Sequence, residues 1–265
     1  MRGLLHNCRN LVLLALALSA CFQINAVAAL DKNALLTALN AHTRNVAHLL
    51  RDDARKPVAV MEFLEIDTGM RVLDVYAADG YFTYILSQVV GADGTVFAQN
   101  PAPGSDVEDI RQMYSLADAL DQRIEIAELS NVIHLRENFF DLSIEPESLD
   151  VILLAQILHD FSNSDPSYAA NLLSHLQTLL KPGGTLAIID HAGDAGQDNS
   201  RLHRMLQSQA EELAAHAGFE LQAASAILAN AADRRRRPVF NPMLGRNTDQ
   251  FLLRFTKSIP AESPN

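Results

Sequence analysis

Residues 71–83 read RVLDVYAADGYFT, and residues 179–189 read LLKPGGTLAII. The first segment joins a short apolar strand to a helix through a loop of small residues. The second ends a helix at a KPGG turn and continues into another apolar strand. Strands that are apolar on both faces and alternate with helices predict an α/β fold, a parallel sheet with helices on both faces. The predicted strands are residues 71–75, 95–98, 132–135, 151–154, 186–189, 219–228 and 250–256.

The helical pattern fills the intervals between these strands. Apolar residues recur at helical spacing, and Pro57 and Pro166 stand where a first helical turn accepts proline. The predicted helices are residues 31–53, 57–64, 81–90, 106–129, 166–180 and 199–217.

The composition is that of a globular chain. The 265 residues are 48% hydrophobic and 20% charged, which excludes a disordered or coiled-coil protein. The formal net charge is −11. Because a nucleic-acid backbone would repel such a chain, we predict no nucleic-acid partner.

The N-terminus has the pattern of an export signal. Arg2 and Arg9 precede a ten-residue apolar run, residues 11–20, which is too short to span a bilayer. An A-x-A site at residues 26–28 predicts a signal peptide of residues 1–28. Residues 18–21 (LSAC) also resemble a lipobox, in which a signal of residues 1–20 is removed and Cys21 carries a lipid. Either alternative predicts a periplasmic protein, and only the second gives it a membrane contact.

The remainder reads as one domain with short additions. Residues 29–56 form a helical extension, residues 57–258 the main domain and residues 259–265 a flexible tail. Residues 229–249 form a long last loop, and loops of that length are usually functional or mobile.

Three segments resemble the class I S-adenosylmethionine-dependent methyltransferases. They are Val72-Leu73-Asp74 with the loop to Gly80, the strand 150–153 (DVIL), and residues 179–186 (LLKPGGTL). The resemblance implies a Rossmann-like, seven-stranded, mostly parallel sheet with an antiparallel last strand. It also implies S-adenosylmethionine as cofactor and methyl transfer as the reaction.

A narrower resemblance is to a group of bacterial proteins predicted to be methyltransferases, many of them with export signals and without an assigned substrate. It rests on residues 55–57 (RKP), 80–83 (GYFT), 98–101 (AQNP), 158–160 (LHD), 190–191 (DH), 203–204 (HR) and 248–251 (TDQF).

The resemblance places the cofactor against the loop after the first strand. The family pattern D-x-G-x-G-x-G falls on residues 74–80, but only Gly80 keeps its glycine. Tyr76 and Ala78 replace the others. Asp79 adds a charge that would lie near the cofactor's methionine carboxylate or face its ammonium group. The cofactor-binding residues predicted from the family are Asp74, Tyr76, Ala78, Asp79, Gly80, Tyr81, Thr83, Asn100, Asn138, Phe139 and Gln156.

Three of these positions have a second interpretation. Asn100 stands where the family places an acidic residue on the ribose hydroxyls, but an asparagine before proline is equally typical of a turn. Phe139 stacks on adenine or belongs to the core. Adenine's amino group is met by Asn138 or by Asp141.

Three histidines follow strands at the edge where open α/β sheets bind ligands. His159 with Asp160 and His191 with Asp190 follow the fourth and fifth strands, and His203 with Arg204 begins the next predicted helix. Histidine titrates near neutral pH and suits a base that takes a proton from a methyl acceptor. Each one taken singly is also typical of a satisfied loop histidine. Asp190, His191 and His203 also form a candidate metal trio, but their spacing matches no metal motif, so we predict no metal.

Four consecutive arginines, Arg234–Arg237, lie in the long last loop. With Arg55 and Lys56 they form a candidate cationic lip for an anionic small-molecule substrate. A solvated surface run is the alternative.

Three functions fit the sequence. The first is an exported methyltransferase acting on an unidentified small molecule, which needs a supply of cofactor outside the cytoplasm. The second is a non-catalytic periplasmic binding protein whose glycine loop has degenerated. A nicotinamide-dependent oxidoreductase ranks last, because no G-x-G-x-x-G follows any predicted strand. The oligomeric state is not predicted.

Overall fold

The computed structural model describes residues 30–102 and 110–258. The predicted signal peptide, with both of its processing sites, and the predicted tail 259–265 lie outside these residues. Within the described part of the chain, no helix is both long and apolar enough to cross a membrane.

Seven strands form one sheet in the order β3-β2-β1-β4-β5-β7-β6. Strands β1 to β5 pair in parallel, and β7 runs antiparallel to both β5 and β6. The predicted seven-stranded, mostly parallel sheet with an antiparallel last strand is therefore confirmed. The strands are β1 (Arg71–Val75), β2 (Thr95–Asn100), β3 (Val132–Arg136), β4 (Leu149–Ala155), β5 (Leu180–His191), β6 (Phe219–Ser225) and β7 (Gln250–Lys257).

Helices cover both faces of the sheet, because alternate residues of the central strands belong to two different cores. Leu73 and Ile152 belong to one buried cluster, whereas Val72, Val151 and Leu153 belong to the other. The helices are α1 (Lys32–Leu39), α2 (Val46–Leu49), α3 (Asp52–Arg55), α4 (Pro57–Leu64), α5 (Tyr81–Val90), α6 (Ile110–Ile126), α7 (Leu158–Ser164), α8 (Pro166–Leu179), α9 (Asn199–Leu202) and α10 (Gln207–His216).

The helix predicted over residues 31–53 is wrong as one element, since the extension contains α1, α2 and α3 in its place. The Asn45 side chain accepts the amide N–H of Ala47 and so begins α2 as a separate helix. Leu35 and Leu39 are buried with the core residues of α4 and α5, so the extension packs against the main domain.

The helix predicted over residues 199–217 is interrupted. His203 adopts a left-handed backbone with φ 52°, which ends α9, and α10 begins at Gln207. The prediction that His203 begins a helix is therefore wrong. The short helix α7, which carries His159 and Asp160, was not predicted because its sequence, LHDFSNS, has little apolar periodicity.

Candidate cofactor and catalytic site

The predicted site residues lie along one edge of the sheet. The loops that leave β1, β2, β3, β4 and β5 carry them, and the carboxyl ends of these parallel strands meet at that edge. This is where open α/β sheets bind their ligands.

The loop after β1 has left-handed backbone at three positions, only one of which is glycine. Tyr76, Ala78 and Gly80 have φ of 55°, 50° and 83°, the left-handed region that glycine adopts most readily. At Gly80 the φ of 83° and a Cβ position 2.5 Å from Leu120 Cδ1 both favour glycine. These three left-handed residues fall on the three glycine positions of the family pattern D-x-G-x-G-x-G.

Two buried amides on β2 hold the loop in this conformation. The Tyr76 amide N–H donates to Gln99 Oε1 at 3.0 Å. The Ala78 N–H donates to Asn100 Oδ1 at 3.0 Å, and Asn100 Nδ2 donates back to the Ala78 carbonyl at 3.2 Å. Asn100 is fully buried, which favours its interpretation as a structural residue of the turn over the ribose contact.

Asp74 and Thr83 form a buried hydrogen bond next to the loop. Thr83 Oγ1 donates to Asp74 Oδ2 at 2.7 Å, and both side chains are buried. Burial raises the pKa of Asp74 to about 7, although the Thr83 hydrogen bond opposes that rise. This pair fixes the start of α5 to the end of β1.

Asp79 is neutralised by protein side chains. Its Oδ2 lies 3.1 Å from His48 Nε2 on α2 and 2.8 Å from Arg123 Nη1 on α6. Burial would raise the pKa of Asp79, but His48 and Arg123 hold it well below its usual range. The predicted extra negative charge beside the cofactor's methionine carboxylate is thereby cancelled.

The extension also supplies the surroundings of Tyr81. Tyr81 Oη donates to Asp52 Oδ1 at 2.8 Å, and Asp52 forms an ion pair with the buried Arg44. The Arg55 guanidinium carbon lies 4.3 Å from the centre of the Tyr81 ring. Residues 30–56 therefore form one wall of the site.

Arg55 is a half-buried cation without an acidic partner. Its Nη2 donates to Gln156 Oε1 at 2.6 Å, and no carboxylate of the described residues forms an ion pair with it. Burial and the neighbouring charge of Arg51 lower the pKa of Arg55 to about 10. A buried charge is normally paired, so this guanidinium offers a place for an anionic group of a ligand.

A chain of hydrogen bonds crosses from Arg55 to His191. Gln156 Nε2 donates to Gln250 Oε1 at 2.9 Å, and Gln250 Nε2 donates to Thr248 Oγ1 at 3.3 Å. Thr248 Oγ1 lies 2.7 Å from His191 Nδ1. Gln156, predicted to line the pocket, therefore connects the extension to β7.

The structure brings the three predicted histidines together. The His159 ring centre lies 5.4 Å from that of His191 and 6.0 Å from that of His203. His159 Nδ1 lies 2.6 Å from Asp190 Oδ1, and His203 Nδ1 lies 2.9 Å from Asp160 Oδ1.

The protonation states of His159 and His191 differ. Burial alone would lower the pKa of His159, but Asp190 and Asp160 outweigh it and raise the pKa to about 10. Burial lowers the pKa of His191 to about 3 against the attraction of Asp190. In the structure as it stands His191 is therefore the neutral imidazole, and only a neutral ring can accept a proton.

The candidate metal trio of Asp190, His191 and His203, for which no metal was predicted, is not assembled. Asp190 directs its carboxylate to His159 and to the backbone amide of His191, not to a shared position with His203. Among the described residues, one group has its ligand atoms within 4.8 Å of one another: His159, Asp160 and His203.

Arg204, predicted to be catalytic, is buried among protein partners, and its catalytic role stays a prediction. Its side chain is fully buried, and its Nη2 lies 2.8 Å from Asp233 Oδ2. It also donates to the backbone carbonyls of Ala192 and Arg237. Arg204 therefore holds the long last loop onto the end of β5.

The four-arginine run is divided. Arg235 forms ion pairs with Asp249 at 2.6 Å and with Asp194 at 2.9 Å, whereas Arg234, Arg236 and Arg237 are exposed.

Asn138 and Phe139 follow β3, and the centre of the Phe139 ring lies 5.1 Å from that of Phe161. That packing accommodates the core interpretation of Phe139 and leaves its adenine contact a prediction.

Several site residues were not assigned a role from the sequence. His48 belongs to a helical pattern, which gave no sign of a tertiary partner. Thr248 and Gln250 lie in the TDQF segment, which was noted only as part of the resemblance. The polar TDQF motif at the start of the last strand is the sequence feature that points to Thr248 and Gln250.

The chain is similar to known proteins in sequence and in fold. A model of a methyltransferase domain family matches residues 66–237. No curated protein matches the chain.

Three solved structures share the fold. A SAM-dependent methyltransferase from Aquifex aeolicus is 19% identical with a TM-score of 0.58, over 78% of this chain and 92% of the other. The cyclase SpnF is 17% identical with a TM-score of 0.58, over 78% and 81%. An arsenic(III) S-adenosylmethionine methyltransferase from Chlamydomonas reinhardtii is 17% identical with a TM-score of 0.50, over 75% and 66%. At these identities the likeness concerns the fold alone.

Proposed function

Because the chain belongs to the methyltransferase domain family, whose cofactor is S-adenosylmethionine, we propose that it transfers a methyl group to a small-molecule acceptor with His191 as the base. The observation that carries this proposal is the loop after β1, whose left-handed residues at 76, 78 and 80 fall on the glycine positions of the family pattern. Gln99 and Asn100 supply the rigidity that lets two non-glycine residues adopt it.

The side chains of the site fit the cofactor. Arg55 would hold the methionine carboxylate, because its half-buried guanidinium has no acidic partner among the described residues. The Arg123 cation offsets the charge that Asp79 would otherwise set against that carboxylate, and His48 adds a contact to Asp79. Bound S-adenosylmethionine supplies a methyl group on a positively charged sulfur, already activated for transfer. The protein's contribution is then mainly alignment of acceptor and donor.

His191 is the histidine best placed to take the acceptor's proton. Its ring is almost fully buried at the end of β5, and Thr248 Oγ1 fixes its Nδ1 at 2.7 Å. With the proton on Nδ1 donated to Thr248, Nε2 keeps its lone pair for the acceptor. His159 cannot do this while Asp190 and Asp160 keep it protonated.

We also propose that the protein acts in the periplasm. The signal-like segment 1–28 supports export, either as a soluble protein or anchored by a lipid on Cys21. The narrower resemblance to exported bacterial proteins supports the same location.

The exposed Arg234, Arg236 and Arg237 favour an anionic acceptor.

Calorimetric titration with S-adenosylmethionine and with S-adenosylhomocysteine tests this function. We expect one site per chain with a Kd below about 1 mM for both compounds. Absent binding would overturn the proposal and favour the alternative, a non-catalytic binding protein on this fold. The similarity to the cyclase SpnF shows that proteins of this fold are also named for reactions other than methyl transfer.

Replacing Arg55 by glutamine is expected to weaken S-adenosylmethionine binding by ~10–100-fold, because a charge-assisted bond to the carboxylate is lost. Decarboxylated S-adenosylmethionine should bind the variant and the wild type alike, which calorimetry measures directly. Lys32→Gln, at an exposed ion pair, is the control and should change neither affinity. Equal weakening for both compounds would show that Arg55 acts only on the shape of the site.

Replacing Ala78 by glycine is expected to stabilise the fold by up to about 1 kcal/mol, since glycine adopts the left-handed backbone without strain on a Cβ atom. The measurement is urea-induced unfolding. Ala77→Gly is the matched control, because Ala77 is buried, is not left-handed and should lose stability. A loss of stability in Ala78→Gly as large as in Ala77→Gly would contradict the strain assigned to the loop.

A further inference from the structure

The cluster of His159, Asp160 and His203 lies beside the site described above, and methyl transfer as proposed does not use it. His159 and Asp160 are on α7 and His203 ends α9. Each offers one ligand atom, and the three atoms lie within 4.8 Å of one another.

His159 Nε2 is the atom that the rest of the structure leaves unexplained. The His159 side chain is 2% exposed, and its Nε2 is buried without a hydrogen-bond partner. It lies 3.1 Å from Asp160 Oδ1, but the two atoms are not aligned as donor and acceptor. A buried ring nitrogen this close to a carboxylate oxygen needs a positive charge, which a proton on Nε2 or a metal ion can supply.

Asp190 prepares His159 as a ligand. Its carboxylate is fully buried, accepts the His159 backbone N–H at 2.9 Å, and lies 2.6 Å from His159 Nδ1. When a cation replaces the proton on Nε2, Nδ1–H donates a hydrogen bond to Asp190 and Nε2 supplies its electron pair to the cation. This carboxylate–histidine arrangement commonly orients the histidine ligands of metal ions.

We propose that His159 Nε2, Asp160 Oδ1 and His203 Nδ1 bind one divalent ion of the zinc type. The separations of Asp160 Oδ1 from His159 Nε2 and His203 Nδ1, 3.1 and 2.9 Å, suit ligands that each lie ~2.0–2.2 Å from a shared ion. Two imidazoles with one carboxylate favour zinc and its transition-metal neighbours over magnesium or calcium.

The geometry leaves room for a further ligand. The side chains of Asp160 and His203 are each 42% exposed, so the ion keeps a coordination position that faces solvent. Water or an oxygen atom of a small anion would complete the shell. The left-handed backbone of His203, with φ 52°, turns its ring toward Asp160, and strain of this kind is characteristic of functional positions.

The test uses tag-free, full-length protein treated with chelator and then titrated with Zn²⁺ in a calorimeter and with Co²⁺ in a spectrophotometer. We expect one tight site per chain and the visible absorption of low-coordinate Co²⁺. His203→Asn tolerates the left-handed backbone and should weaken both by at least ~100-fold, as should Asp160→Asn. His42→Ala removes an exposed histidine and should bind like the wild type.

Two results would overturn the proposal. One is the absence of a stoichiometric site in the wild type, which would mean that His159 carries only a proton between its two carboxylates. The other is unchanged binding by His203→Asn and Asp160→Asn, which would assign the ions to other surface groups. Both readouts omit S-adenosylmethionine, so they are independent of whether methyl transfer occurs.

Discussion

Replacing His191 by alanine is expected to lower turnover by ~10²–10⁴-fold while leaving the affinity for S-adenosylmethionine unchanged. The reason is geometric: the ring is held by Thr248 at the end of β5, and the cofactor-side contacts run through Arg55 and the loop after β1. Turnover is measured as release of S-adenosylhomocysteine with a panel of phenols, amines and thiols. Affinity is measured by calorimetry without acceptor.

Two controls separate catalysis from structure in this experiment. His216→Ala removes an exposed histidine on α10 and should leave both measurements unchanged. Thr248→Val should lower turnover, and Thr248→Ser, which keeps the hydroxyl, should restore most of it. If His191→Ala lost turnover and cofactor affinity in equal measure, His191 would be a structural residue and the proposed base would be elsewhere.

Replacing Arg204 by methionine is expected to cost about 3–5 kcal/mol of unfolding free energy. The Arg204 and Asp233 side chains are 0% and 1% exposed, so the change leaves a carboxylate buried without its cation. Urea-induced unfolding measures the loss. In any folded fraction the affinity for S-adenosylmethionine should be retained, because Arg204 holds the last loop and does not face the ligand.

Arg235→Met provides the comparison, since Arg235 is 37% exposed and pairs with Asp194, which is 39% exposed, and with Asp249, which is 7% exposed. Because the Arg235 side chain is itself partly solvated, we expect a smaller loss than at Arg204, of about 1–2 kcal/mol. Adding Asp233→Asn to Arg204→Met should recover part of the stability by removing the unpaired charge. Similar losses at Arg204 and Arg235 would contradict the assignment of a buried pair.

The sheet was predictable from the sequence because its determinants are local. The run RVLDV and the helix from Tyr81 to Val90 have the limits that the apolar pattern predicted. The KPGG segment, predicted as a turn before the strand, instead lies within β5, which begins at Leu180 directly after α8. Parallel strands buried on both faces must be apolar throughout, so each strand can be predicted from its own sequence without knowing which strands it pairs with.

The location of the site was predictable for a related reason. Polar residues placed directly after parallel strands meet at one edge, and His159 and His191 do lie together there. Their different charge states were not predictable, since they depend on which carboxylates each ring contacts after folding.

The partners of charged side chains were decided by tertiary structure alone. Asp79 contacts His48 and forms an ion pair with Arg123, which come from two other helices, and Asp160 meets His203 across 43 residues of sequence. Arg204, adjacent to a predicted catalytic histidine in sequence, is buried against Asp233. Hydrophobic periodicity is a property of each segment and can be read along the chain. An ion pair requires two side chains to meet within a few ångströms, and that proximity exists only once the segments have packed.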